Sequence, residues 1–164
     1  MRGEAVYPGS FDPFTKGHLD VVERAAAIFE RVLVAVVVNP QKREPLFTLE
    51  ERTEMIREAC GSLSNVHVDH FRGLLAVYVK ERGSSVIVKG LRVVSDFESE
   101  MSTSLMNRSL SGVDTIFLPS DPQWSFVSST LVKEVYALGG DVAGYVPPAV
   151  LRIMRRARPV TLTT

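Results

Sequence analysis

The chain has one cysteine, Cys60, so no disulfide forms within it, and a disulfide-stapled secreted scaffold is excluded. It has no net charge, because 19 Lys and Arg balance 19 Asp and Glu. A global pull toward nucleic acid or an anionic membrane is therefore missing, and any anion site is local. No apolar run approaches the roughly 20 residues that a spanning helix needs. The N-terminus shows no basic segment followed by an apolar stretch. The expectation is a cytoplasmic protein with no nucleic-acid and no membrane partner. Several site motifs are also missing. There is no Gly-x-x-x-x-Gly-Lys-Ser/Thr run, no Gly-x-Gly-x-x-Gly turn and no Gly-x-Ser-x-Gly elbow. His67 and His70 are three residues apart in a predicted strand, hence on opposite faces, and Cys60 is distant. No protein-held metal site is expected.

What is present centres on Tyr7-Pro8-Gly9-Ser10-Phe11-Asp12-Pro13-Phe14-Thr15-Lys16-Gly17-His18. A short apolar segment ends there and an amphipathic run begins. Gly9 and Gly17 permit close approaches that a side chain would block, and Pro8 and Pro13 fix their own φ. A strand, a Gly-rich turn and a helix N-terminus make an anion site, since the first helical amides point outward unpaired. His18 beside those amides is read as a phosphate contact and catalytic group. A lone histidine at such a place is ordinarily a cap or a core residue; the Pro/Gly-rich turn argues for function. The positive helix end disfavours a charged imidazole, and a neutral one still donates one hydrogen bond.

The rest of the chain alternates. Glu4 to Pro8 reads as a strand, and Leu19 to Glu30 as an amphipathic helix. Val32 to Val38 is a β-branched run of the kind buried on both faces in parallel sheets. Thr48-Leu49-Glu50-Glu51 is a capping box opening a helix to about Cys60. Val66 to Phe71 is a strand, Leu74 to Arg82 a helix, Val86 to Val88 a strand. A helix runs from Ser95 to about Leu110, a strand over Thr115 to Leu118, and helices over Ser128 to Leu138 and Pro147 to Arg156. The fold class is α/β: a doubly wound five-stranded parallel sheet, Rossmann-like. One domain spans 1–164, its tail frayed from about Arg158.

In such sheets ligands sit at the carboxyl ends of the strands, near the switch in strand order. The unusual residues gather there. Lys42 and Arg43 lie after the second strand, Leu74 and Leu75 after the third, Lys89 to Arg92 after the fourth, and Pro119 to Thr130 after the fifth. Lys89 and Arg92 are cations at a strand end, expensive unless they meet an anion. Trp124 to Thr130 carries hydroxyls at a helix start, a second phosphate cradle whose ordinary reading is an N-cap with two buried aromatics. Asp96, Glu98 and Glu100 favour a helix dipole; one of them suits a ribose hydroxyl or a metal-bound water. Cys60, late in a helix, reads as packing.

Thr15-Lys16-Gly17-His18 resembles the (His/Thr)-x-Gly-His signature of a nucleotidyltransferase superfamily. With Phe47 to Arg52, Lys89 to Arg92, Asp96-Phe97-Glu98, Met106-Asn107-Arg108 and Trp124 to Thr130, the chain resembles bacterial phosphopantetheine adenylyltransferases from about Glu4 to Pro148. The resemblance implies transfer of AMP from ATP to 4'-phosphopantetheine, with Mg²⁺, giving dephospho-coenzyme A and pyrophosphate. It implies catalytic roles for His18, Lys42, Ser10 and Arg92. It implies ATP contacts from Ser10, Phe11, His18, Gly90, Leu91, Arg92, Glu100, Trp124, Ser125, Phe126, Val127, Ser128, Ser129 and Thr130. It implies phosphopantetheine contacts from Ser10, Lys42, Leu75 and Lys89. A homohexamer and feedback by coenzyme A are implied as well. Ser10 stands where the family often has Thr, and Lys89 where it often has Arg; both keep a donor, but Lys89 gives up bidentate geometry. Two alternatives stay open: a related nucleotidyltransferase acting on another phosphate acceptor, and a non-catalytic ATP-binding regulatory module.

Overall fold

The computed structural model describes residues 3–38, 44–84, 86–92 and 94–159, with backbone alone at 94–96. Five parallel strands form one sheet: β1 (Glu4–Gly9), β2 (Arg31–Val38), β3 (Val66–Arg72), β4 (Val86–Leu91) and β5 (Asp114–Pro119). Their order is β3-β2-β1-β4-β5. The chain moves outward from β1 to β3, then crosses back to the other side of β1. The switch therefore lies between β1 and β4, where Val6 registers with Ile87.

Right-handed crossovers fix which face each helix covers. The helices α1 (Lys16–Ile28), α2 (Leu49–Ala59), α5 (Ser129–Ala137) and α6 (Pro148–Ala157) bury Val22, Ile56, Val132 and Ile153 against Ala5, Val34 and Val88. On the opposite face α3 (Leu75–Glu81) lies against α4 (Val94–Ser111), and Val79 joins Val6, Leu33 and Ile87 in a second cluster. β1 and β2 are sandwiched between the layers, which is why their apolar runs do not alternate. Cys60 caps α2, buried in the first cluster, and burial pushes its thiol up to about 12. It packs and does not act as a nucleophile at neutral pH.

Two boundaries differ from the sequence expectation. The first helix starts at Lys16 rather than Leu19, with Thr15 as its N-cap, so Gly17 and His18 are inside its first turn. β4 continues through Lys89, Gly90 and Leu91, registered with Phe117, Leu118 and Pro119. At Arg158 the amide donates to the Met154 carbonyl at 2.8 Å and the carbonyl accepts from the Tyr136 hydroxyl at 2.8 Å, while residues 160–164 of the expected frayed tail lie outside the described residues.

Candidate active site

The turn between β1 and α1 is held by a chain of short-range constraints. Phe11 has φ 47°, a left-handed conformation that costs a side-chain-bearing residue energy. Its ring folds back beneath Gly9, where a Cβ would lie 2.7 Å from Phe11 Cζ. That ring, 1 % exposed, meets the His18 imidazole edge-on at 5.1 Å, and Phe14 lies 5.5 Å from the same imidazole. Two phenyl rings thus back the histidine.

Asp12 fixes the turn to the rest of the protein. It is 3 % exposed. Its Oδ1 accepts from the Phe47 amide at 2.9 Å and its Oδ2 from the Leu46 amide at 3.0 Å. Lys133 Nζ on α5 donates to the same Oδ2 at 2.5 Å. Arg52, also buried, donates from Nη1 to the Ser10 carbonyl at 2.8 Å. Ser129 Oγ donates to the Pro13 carbonyl at 2.8 Å. The turn, the start of α2 and the start of α5 are therefore one unit.

His18 occupies the third position of α1 and serves as the reciprocal partner of a capping box. The Thr15 amide donates to His18 Nδ1 at 3.0 Å, and the His18 amide donates to Thr15 Oγ1 at 3.3 Å. Because Nδ1 accepts, the ring proton is assigned to Nε2. Burial first, and the Arg92 guanidinium second, hold the imidazole well below its usual range, at about 4. The side chain is a neutral donor from Nε2 across the physiological range.

This pKa shift predicts a pH dependence. Folded His18 resists protonation down to about 4, whereas unfolded histidine takes a proton near 6.5. The stabilisation is complete above pH 6.5 and is lost as pH falls from there toward 4. Urea unfolding between those values is expected to show uptake of about one more proton by wild type than by His18→Gln. Equal slopes would mean that the imidazole is not held neutral.

His18 opens onto a cleft of about 180 Å³ at the carboxyl ends of β1 and β4. Of the predicted residues, His18, Lys89, Gly90, Arg92, Glu100 and Val127 line it. Lys89 Nζ pairs with the Glu100 carboxylate at 3.3 Å, and Arg92 Nη1 donates to the Val127 carbonyl at 3.4 Å. Gly90 lets β4 approach α1, since a Cβ there would sit 2.8 Å from Val21 Cγ2. Tyr7, Pro8, Thr15, Gly17 and Ser120 complete much of the wall.

The other predicted residues among those described do not line the cleft. Ser10 is exposed, with its carbonyl on Arg52. The Phe11 side chain is core. The Leu91 carbonyl accepts from the Ser120 amide at 2.7 Å. Trp124 carries the Lys16 ammonium 5.5 Å from its ring centre. Ser125 Oγ donates to the Pro122 carbonyl, Phe126 is exposed and rests edge-on against Tyr145, and Ser128 N-caps α5. Thr130 is exposed in the first turn of that helix. Leu75 packs against the second core cluster. Lys42 and Arg43 lie outside the described residues. Three larger basins, of about 560, 450 and 210 Å³, lie elsewhere among the described residues; one runs along β3 from Arg31, one lies beside the end of α6 and one beside Phe126 and α5, and none is lined by a residue of the His18 turn.

A switch-point cleft that gathers a neutral donor, two cations and a helix N-terminus has the chemistry to take a phosphate. Residues 6–135 match the family described as cytidylyltransferase-like. A phosphopantetheine adenylyltransferase of Heliobacterium modesticaldum is 56 % identical over 92 % of this chain and 89 % of its own. One of Streptomyces coelicolor is 51 % identical over 92 % of this chain and 94 % of its own. A solved structure titled as a putative nicotinate-nucleotide adenylyltransferase from Vibrio parahaemolyticus superposes with a TM-score of 0.68 over 95 % of this chain and 93 % of that one, at 18 % identity, which speaks to the fold alone. The chain therefore belongs to the cytidylyltransferase-like nucleotidyltransferases. Within them it belongs to the phosphopantetheine adenylyltransferase family.

Proposed function

We propose that this chain transfers the adenylyl group of ATP to 4'-phosphopantetheine, giving dephospho-coenzyme A and pyrophosphate. The observation that carries the reading is His18. Its Nδ1 is engaged by Thr15, which leaves an Nε2–H donor on the cleft lined by Lys89 and Arg92. Family membership supplies the substrate class.

The chemistry needs no base. The acceptor phosphate is already anionic. One of its oxygens forms a bond to the α-phosphorus of ATP, and the bond from that phosphorus to the bridging oxygen breaks, releasing pyrophosphate. Catalysis is then alignment and charge dispersal. Nε2–H of His18 donates to an oxygen of the reacting phosphate, and Arg92 and Lys89 add positive charge. Lys42 and Ser10 are proposed to hold the acceptor phosphate, with Leu75 along its arm. Leu91, Gly90, Glu100 and the segment from Trp124 to Thr130 are proposed to hold ATP.

Mg²⁺ is proposed to enter with the nucleotide. Among the described residues no group of three or more His, Cys, Asp or Glu gathers to hold a metal. Such an ion would be held mainly by phosphate oxygens and water, with the Glu100 carboxylate of the cleft wall beside it. When bound, the ion supplies charge neutralisation on the phosphate chain.

The test is pyrophosphate release with ATP and Mg²⁺, offering 4'-phosphopantetheine, nicotinamide mononucleotide, or no acceptor. Release with phosphopantetheine alone, and dephospho-coenzyme A by mass, is the expected result. Release with another acceptor overturns the substrate; ATP binding with no release overturns the enzyme reading. No helix among the described residues is long and apolar enough to cross a membrane, and the cytoplasm is proposed as the site of action. A homohexamer is proposed too, with Phe97, Leu105, Met106 and Leu110 of α4 exposed and available to partner copies; a monomeric mass by light scattering sinks it. Coenzyme A is proposed as a feedback ligand, which predicts competition with phosphopantetheine.

A further inference from the structure

Tyr7 lies in the buried stretch of β1, which runs from Ala5 to Pro8, and lines the cleft beside His18, Lys89 and Arg92. Its side chain belongs to the core, 5 % exposed, edge-on to Phe11 at 5.4 Å. Its Oη lies 3.9 Å from where a Gly90 Cβ would stand. Among the described residues that hydroxyl has no hydrogen-bond partner within the protein. Buried phenols usually find one. The hydroxyl of Thr115 is sealed away and unpaired; that of Tyr7 instead belongs to a residue on the cleft wall.

The surroundings select the ligand chemistry. Lys89, Arg92 and the His18 Nε2–H are all donors. Glu100, the one carboxylate on the wall among the described residues, is already paired with Lys89. A guest that satisfies such a wall is rich in acceptors. Burial, aided by Asp20 and Glu100 and opposed by Arg92, keeps the phenol protonated well beyond its ordinary range.

We propose that Tyr7 Oη donates a hydrogen bond to a phosphate oxygen of a bound substrate, making Tyr7 a substrate-binding residue of the adenylyl transfer proposed above. The phosphate belongs either to ATP or to the acceptor. Tyr7→Phe keeps the ring and its contact with Phe11 and deletes only the hydroxyl, so its Tm is expected at or above that of wild type. ATP, 4'-phosphopantetheine and adenosine are then titrated separately into both proteins by calorimetry.

The expected result is about 10-fold weaker binding of one phosphate ligand, the size of a lost hydrogen bond to a charged group, with the other ligand and adenosine unchanged. Loss confined to ATP places the hydroxyl on the triphosphate; loss confined to phosphopantetheine places it on the acceptor phosphate. Affinities for both within about twofold of wild type overturn the proposal. So does an equal loss for adenosine, which moves the contact to the nucleoside. Wild-type turnover is measured first. Failure there overturns the proposed reaction, while the ATP and adenosine titrations still decide Tyr7.

Discussion

His18→Ala is expected to lower kcat by a factor on the order of 10²–10³ while leaving the protein folded. The loss follows from what the imidazole does and from what it does not do. It is a poor base, because burial and Arg92 lower its proton affinity, to a pKa of about 4, and its acceptor nitrogen Nδ1 is taken by the Thr15 amide. It is a donor whose tautomer is set by the Thr15 amide at 3.0 Å and whose ring is backed by Phe11 and Phe14. Such a group needs no reorganisation when charge develops on the phosphate oxygens, and that is where preorganised donors contribute most. The structural cost is smaller. Alanine removes the acceptor for the Thr15 amide but leaves Thr15 Oγ1 to cap the helix, a loss of about 1 kcal/mol. His18→Gln separates the two effects, because glutamine at this position completes a capping box without an imidazole. It is expected to melt near wild type and still turn over poorly. Wild-type turnover by folded His18→Ala sinks the catalytic role.

The sheet and its helices were legible because burial writes a period. Val32 to Val38 is apolar throughout, since β2 is covered on both faces, and α1 repeats its apolar residues at helical spacing. That loops would gather at the carboxyl ends of the strands was legible too, because a parallel sheet delivers them to one rim; the strand order that puts the switch between β1 and β4 was not. What escaped was chemistry without a period. The start of α1 is set by Thr15 and His18, and a histidine in place of Glu or Gln hides a capping box. β4 runs three residues past Val88, but a lysine and a glycine interrupt the apolar pattern there. Tyr7 heads the stretch that the sequence singles out but its side chain was given no role, although a hydroxyl near the carboxyl end of a buried strand is the signal that marks it. Lys133 was invisible. It sits on α5 between Val132 and Glu134, and nothing local says that it reaches Asp12, 121 positions away. Long-range polar contacts depend on the assembled fold, so single-chain patterning does not encode them.

That contact carries the largest expected effect on stability. Asp12→Ala is expected to destabilise the protein by about 3–5 kcal/mol, the scale of breaking a buried ion pair. The carboxylate accepts from the Leu46 and Phe47 amides and from Lys133. Removing it strands two amides and an ammonium together, and each unpaired buried donor costs about 1–3 kcal/mol. Against a typical total of about 5–15 kcal/mol, this is a large fraction. Asp12→Asn retains one acceptor but turns an amide group toward these donors, and an intermediate loss is expected. Lys133→Met leaves both amide contacts in place and should cost less than Asp12→Ala, because Lys133 is part-exposed at 31 % while Asp12 is not. Urea unfolding measures all three. A lowered midpoint at unchanged m-value assigns the effect to the native state. If Asp12→Ala lies within about 1 kcal/mol of wild type, the carboxylate is not the anchor of the turn. The order of the three variants matters beyond stability. Asp12 joins the His18 turn to the start of α2 and, through Lys133, to α5. A protein that loses Asp12 therefore loosens the His18 turn from the starts of both α2 and α5, whereas one that loses Lys133 keeps the α2 contact and the Ser129 tie to α5.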